Sequence, residues 1–452
     1  MLELSLVIVY SAIVIAIGYY HRHIKNDDDF VIAERRVKKF GTIMTISATI
    51  TTESLVFFSV ALTVAYGPLG AMFALIGPTI ALLVMSFVAP RVHADGKFNR
   101  FVSIAEYCRG KWGNVIGQIV RLLFMCFLAW IIILQINLNG SLLSGLLHWS
   151  SFYATFLTVG IVLIYLFLGG YRSVVKTDIF QGLLLFAFIL LPFFIDPRPD
   201  LIKALDIGFV NYKWFLLLIM SFAMVITRPE MWQRMYSAES GQSAAKSFRI
   251  VALINIVFGC FLFYYALAVT QAVPEATSIQ AFATGYRTIL PTYIAAFFPV
   301  LLLAAMMSTL DSAAFLLAVD LTSLHQRFLK KRVLWTRIFL VTTLCILGII
   351  SLTVFDALSF AYKIDGLVAL TMIPLVISFW TEISRKLLSV SFLIGLAAYV
   401  TQILIGMIDR DPAKAIYPAL LTGAIIISVY AFKYLLRRFK KISKINTIVD
   451  SN

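Results

Sequence analysis

Long apolar runs follow one another along this chain, separated by short segments that collect its glycine, proline and charged residues. A membrane span needs about 20 predominantly apolar residues. Read on that scale, the runs predict about thirteen helices. Their expected limits are 2–20, 40–66, 68–90, 114–147, 151–168, 174–195, 213–230, 247–272, 292–326, 335–355, 357–380, 387–408 and 415–436. The first run, "LELSLVIVYSAIVIAIGYY", has no basic flank and no small-residue cleavage site, so it reads as a retained helix rather than a signal peptide.

Composition agrees with the pattern. Of 452 residues 61% are hydrophobic and 13% charged, whereas a soluble domain is about a quarter charged. The expected fold class is therefore an all-α polytopic protein of the cell inner (plasma) membrane, with the lipid bilayer as a partner. A net charge of +15 would suggest nucleic acid in a soluble protein, but here it has a topological account. With the N-terminus outside, inside segments hold 30 of the 38 Lys and Arg and outside segments hold 6. That asymmetry predicts N-terminus out and C-terminus in, with no nucleic-acid partner.

No G-x-x-x-x-G-K-[ST] phosphate loop occurs, which excludes ATP-driven pumps and fused kinases. Cys108, Cys126, Cys260 and Cys345 are scattered, and His21-x-His23 alone is a weak metal signal, so neither disulfides nor a metal centre is expected. Neither catalysis nor an organic cofactor is expected. Helices two to six (40–195) and seven to eleven (213–380) can form two five-helix sets of opposite topology, the arithmetic of an inverted-repeat transporter. The helix at 2–20 and the pair at 387–436 would be additions to that core within one transmembrane domain.

Four places put polar groups at membrane depth, where each costs free energy unless paired or hydrated. In "TISATITTESLVFF" five hydroxyl residues precede Glu53 and Ser54, a density that weakens a helix and favours a local break. The alternative there is a continuous helix whose hydroxyls bond back to the preceding turn. In "AAMMSTLDSAAF", Ala305, Ser308, Thr309 and Ser312 share one broad helical face, with Asp311 at its edge. Single hydroxyls commonly back-bond or join helices, but two adjacent ones beside a carboxylate exceed that need and suit a hard cation such as sodium. Asp178 in "GGYRSVVKTDIFQG" could instead cap a helix. Lys363 and Asp365 in "SFAYKIDGLVAL" could simply pair or snorkel near the outer surface.

At these residues the chain resembles the sodium/solute symporter family, which includes proline permeases, sodium/glucose cotransporters and sialic acid transporters. "GGYRSVVKTDIFQG" (169–182), "RPEMWQRMYSAESGQSAAKS" (228–247) and "AAMMSTLDSAAFLLAVDL" (304–321) carry the resemblance, with weaker matches in "DDFVIAERR" and "SIAEYCRGKWG". The resemblance implies a LeuT-type 5+5 inverted-repeat core in helices two to eleven. It also implies a sodium site from carbonyls of Ser47, Ile50 and Ala305 and hydroxyls of Ser308 and Thr309. Some relatives hold a second sodium, which by position would involve Asp178, Asp311 and Ser312. Asp311 departs from the hydroxyl found in sialic acid transporters, so one or two ions, or a proton-linked site, are all open.

Substrate contacts implied by position are Glu53, Ser54, Ser221 and Met224, and loosely Lys363 and Asp365. Gln135 is added by its place on the adjacent span. Sugar-binding members carry Glu-Gln where Glu53-Ser54 stand here, and Asn with an aromatic gate at Ser221 and Met224. A small amino acid or organic acid is therefore favoured over a sugar. The expected function is sodium-coupled symport of a small organic solute by alternating access, which a monomer can perform. A membrane solute sensor would need a separate signalling partner, because only "RFKKISKINTIVDSN" follows the last span. A proton-coupled carrier using Asp178 or Asp311 is the other alternative.

Overall fold

The computed structural model describes residues 2–50, 53–204, 211–274, 285–353 and 357–449, without the side chains of residues 2, 53–57, 146–147, 203–204, 357–359 and 435–449. Among the described residues the elements are helices, with one isolated bridge between Val37 and Ala238. In hydrocarbon, backbone N–H and C=O groups find no water, and a helix pairs them within one segment.

The principal helices are α1 (Leu2–Tyr20), α2 (Lys39–Ile50), α3 (Glu53–Asn99), α4 (Asn114–Leu147) and α5 (Ser151–Leu185). They continue as α6 (Tyr212–Ile226), α7 (Pro229–Ser237), α8 (Gly241–Ala272) and α9 (Phe298–Thr322). The last four are α10 (Arg332–Ser351), α11 (Ala357–Ala369), α12 (Arg385–Leu404) and α13 (Tyr417–Val449). Polar caps mark several starts: Asn211 accepts from Lys213 N–H before α6, and Ser240 from Ser243 N–H before α8.

Among the described residues ten helices are long and apolar enough to cross a membrane, or eleven if the α6–α7 pair, bent by 43°, is one span. Thirteen were expected, and much of the difference lies in α3 and α5. The apolar stretches Phe58–Asn99 and Ser151–Phe194 run 42 and 44 residues, roughly twice what a bilayer requires. Each contains a glycine with positive φ, Gly67 at 76° and Gly170 at 57°. These glycines fall between the expected spans 40–66 and 68–90, and between 151–168 and 174–195. At Gly170 a side chain is excluded for a second reason, since a Cβ would come within 2.8 Å of the Phe30 carbonyl oxygen.

Helix α9 is the axis of the molecule. Residues Phe298 to Asp320 are all buried, so it has no lipid-facing stripe. Helices α2, α4, α5 and α10 pack around it. Helix α1 lies along α5, where Gly18 meets Tyr165 and Gln181 donates to the Tyr10 hydroxyl at 2.6 Å. Helix α3 packs on α8 and α6, and α12 pairs with α13. Phe87, Leu122, Leu253 and Ile349 are exposed on outer faces, a distribution suited to lipid rather than water.

Candidate ion and solute sites

Two helices supply the first group of oxygens. Helix α2 is described as far as Ile50 and carries Ser47 and Ile50, both buried, close to its last described residue. The expected break after Ile50 falls on residues 51 and 52, outside the described residues. Ala305, Ser308 and Thr309 are fully buried on α9, which packs against α2.

Hydroxyls buried in helices ordinarily bond back to the preceding turn. Thr45 and Thr49 do so, to the carbonyls of Thr42 and Thr45 at 3.2 and 2.8 Å. Ser47 and Thr309 do not: both hydroxyls are buried with no hydrogen-bond partner among the described residues. A buried hydroxyl left open costs about 1–3 kcal/mol, and a cation bound to its oxygen relieves that cost. The two open hydroxyls therefore fit a sodium ligand set of neutral oxygens.

The neighbouring cluster is charged and fully buried. Asp178 on α5 accepts from the Ser308 hydroxyl at 2.6 Å through Oδ1, and from Arg234 of α7 at 2.9 Å through Oδ2. The same Arg234 nitrogen donates to Ser312 at 2.6 Å, and Ser312 donates to Asp311 Oδ1 at 3.2 Å. Asp311 Oδ2 accepts from Tyr165 at 2.8 Å and Thr177 at 3.2 Å. Because Ser308 gives its proton to Asp178, its oxygen lone pairs stay open to a cation. Asp178 and Ser312, expected with Asp311 around a second cation, share the Arg234 guanidinium, and Asp311 joins them through Ser312.

A cavity opens beside these helices. Its wall includes Phe58, Leu62, Phe127, Trp130, Ile131, Met220 and Tyr362, with Ser59, Ser221, Met224, Arg228 and Asp365 among its polar or polarisable members. Ile50 also lines it, which sets the cavity next to the end of α2. The approach of α6 to α3 depends on Gly77, where a Cβ would come within 2.5 Å of the Leu218 carbonyl oxygen and 2.8 Å of Phe222 N.

Of the expected solute contacts, Ser221, Met224 and Asp365 reach the cavity. The side chains of Glu53 and Ser54 lie outside the described residues. Gln135 is buried on α4 beside Leu134 rather than among the lining residues. Lys363 turns away and pairs with Asp409 at 2.6 Å, while its carbonyl accepts from Tyr399. Arg228 and Arg234 fall at the end of and just beyond the expected span 213–230. The structure buries Arg234 completely and leaves Arg228 13% exposed, where α7 follows α6 after a bend of 43°. Their signal was present in "RPEMWQRMYS", where two arginines alternate with Met, Trp and Tyr instead of polar loop residues.

Residues 30–195 match the model of the sodium:solute symporter family. The likeness noted from the sequence therefore has independent support in a segment that includes Asp178, while α6 to α9 lie beyond it. No curated protein matches the chain significantly. Among solved structures, a Na+-coupled sialic acid symporter in a substrate-bound outward-open state aligns over 94% of this chain and 96% of its own, with TM-score 0.76 and 16% identity. A nucleobase-cation-symport-1 family transporter in a closed conformation aligns over 92% and 97%, with TM-score 0.60 and 13% identity. Both are transporters, and at these identities they establish the fold, an all-helical polytopic architecture of LeuT type.

Proposed function

We propose that the chain is a sodium-coupled symporter that imports a small organic solute across the plasma membrane by alternating access. The carrying observation is the pair of buried, unpartnered hydroxyls of Ser47 and Thr309 on two packed helices. The match of residues 30–195 to sodium:solute symporters supports the same reading. Sodium would bind the carbonyls of Ser47, Ile50 and Ala305 with the hydroxyl oxygens of Ser47, Ser308 and Thr309 in reach, next to a cavity that shares Ile50. An ion that touches both α2 and α9 is bound well only while their relative position is kept, so it biases which side of the carrier opens.

Arg234 bears on the number of ions. Its guanidinium already supplies a positive charge to Asp178 and a donor to Ser312. We therefore read the second cation position as held by the protein itself, with one sodium carried per cycle. A proton-coupled reading has one observation in its favour, the burial of two carboxylates, Asp178 and Asp311, around a single guanidinium.

Proteoliposomes distinguish the readings. Uptake that requires external sodium, and is lost in Ser308→Ala with Thr309→Ala, supports sodium coupling. Accumulation driven by a pH gradient without sodium would overturn it in favour of the proton.

A further inference from the structure

The cavity is lined by two opposite charges, Arg228 and Asp365, that do not pair with each other. Arg228 lines it with its side chain 13% exposed and forms an ion pair with the buried Glu230 at 3.6 Å, too long for a hydrogen bond, so that its Nε has no hydrogen-bond partner among the described residues. Asp365 lines the same cavity, is 4% exposed, and takes part in no hydrogen bond or ion pair found among the described residues. The two do not form an ion pair with each other, which requires an approach within 4.0 Å. Arg228 is compensated only by a long ion pair and Asp365 by none, and charge removed from water with incomplete pairing is unfavourable. A ligand that carries the complementary charges at its two polar ends would offset that cost.

The rest of the wall sets the ligand's body. Trp130, Phe127, Phe58 and Tyr362 supply aromatic surface, and Leu62 and Ile131 aliphatic surface. Ser221, one of the hydroxyls present, already donates to the Leu218 carbonyl at 3.0 Å. A sugar would bring several hydroxyls to a wall with few groups to receive them, and each unmet hydroxyl is costly.

We propose that the solute is a zwitterion with an apolar or aromatic body, an α-amino acid or a molecule of that charge pattern. Its carboxylate binds Arg228 and its ammonium group binds Asp365. The proposal rests on the symport reading for its direction of transport, but the pocket chemistry stands by itself.

The test is a thermal-shift panel on the full chain in lipid nanodiscs, with and without sodium. The probes are phenylalanine, leucine and proline, then 3-phenylpropionate (no ammonium), phenethylamine (no carboxylate) and glucose. At least one zwitterion is expected to stabilise, with the matching single-charge analogues about 10- to 100-fold weaker, the loss of one charge-assisted hydrogen bond. Arg228→Gln should weaken the zwitterion while leaving phenethylamine unchanged, and Asp365→Asn should do the reverse with 3-phenylpropionate. Arg228→Lys keeps the charge and guards against a folding defect; it should retain the preference for a carboxylate. Glucose or a single-charge analogue binding as well as every zwitterion would overturn the assignment, as would no zwitterion binding at all. A zwitterion that binds equally with and without sodium would sink the coupling and leave the pocket assignment standing.

Discussion

Arg234 offers the sharpest quantitative test of the buried charge cluster. Its side chain is fully buried, and one terminal nitrogen reaches Asp178 at 2.9 Å and Ser312 at 2.6 Å. Arg234→Gln removes the guanidinium and leaves two buried carboxylates facing hydroxyls alone. Breaking one side of a buried ion pair costs about 3–5 kcal/mol, mostly the penalty of the charge left behind. Asp178→Asn should cost a similar amount for the mirror reason. The double variant removes both charges, so its cost should fall short of the sum by about 2–3 kcal/mol, the coupling typical of contacting groups. Unfolding in mixed micelles, at fixed sodium concentration, measures all four corners of the cycle. The sodium dependence of stability supplies a second readout. The native chain should show a Hill coefficient near ~1, rising in Arg234→Gln as a second ion enters the vacated place. An additive cycle would remove the guanidinium from the ion-pair role. A native coefficient near ~2, unchanged by the substitution, would show that Arg234 does not hold a cation position.

Three further outcomes follow from local geometry. Ser308→Ala with Thr309→Ala should raise the sodium concentration for half-maximal stabilisation at least about tenfold, since each lost ligand is worth about 1 kcal/mol; an unchanged titration would move sodium elsewhere. Gly77→Ala should destabilise by about 1–3 kcal/mol through overpacking against the α6 backbone, whereas Gly160→Ala, with open space around it, should be neutral; melting temperatures compare them directly. Cys108 sits in the helix Ile104–Trp112, outside the long apolar spans, and burial pushes its thiol well above the ordinary range. The thiolate is the nucleophile, so Cys108 should resist maleimide up to pH 9 and react only on unfolding, which mass spectrometry of labelled peptides can follow.

Much of the architecture was legible from hydropathy because the bilayer turns an apolar run into a helix without help from the rest of the chain. The boundaries near Gly67 and Gly170 were legible too, since a glycine or a polar break interrupts the run. The count was less secure. The structure keeps α3 and α5 as long stretches bent at those glycines, and it continues α6 into α7 through a bend of 43°. The burial of Arg234 was not legible, because charge counting along a sequence does not tell a hydrated arginine from a paired one.

The oxygen-rich stretch of α9 was visible as a sequence anomaly, and so was the suitability of Ser308 and Thr309 for sodium. Which hydroxyls are spent and which remain open was not visible. Thr45 and Thr49 close on their own helix, whereas Ser47 and Thr309 do not. That difference depends on local geometry and on which neighbours are within reach, not on residue type.

What the sequence determines alone is what is additive along the chain: membrane residence, helical class, approximate spans, and the residue types available for ion and solute. The tertiary structure decides partnership. Asp178 meets Ser308 across 130 residues, Tyr165 meets Asp311 across 146, and Arg234 joins both clusters from a segment that reads as a loop. Electrostatic and hydrogen-bond energies fall off over a few ångströms of space, and distance along the chain does not encode them.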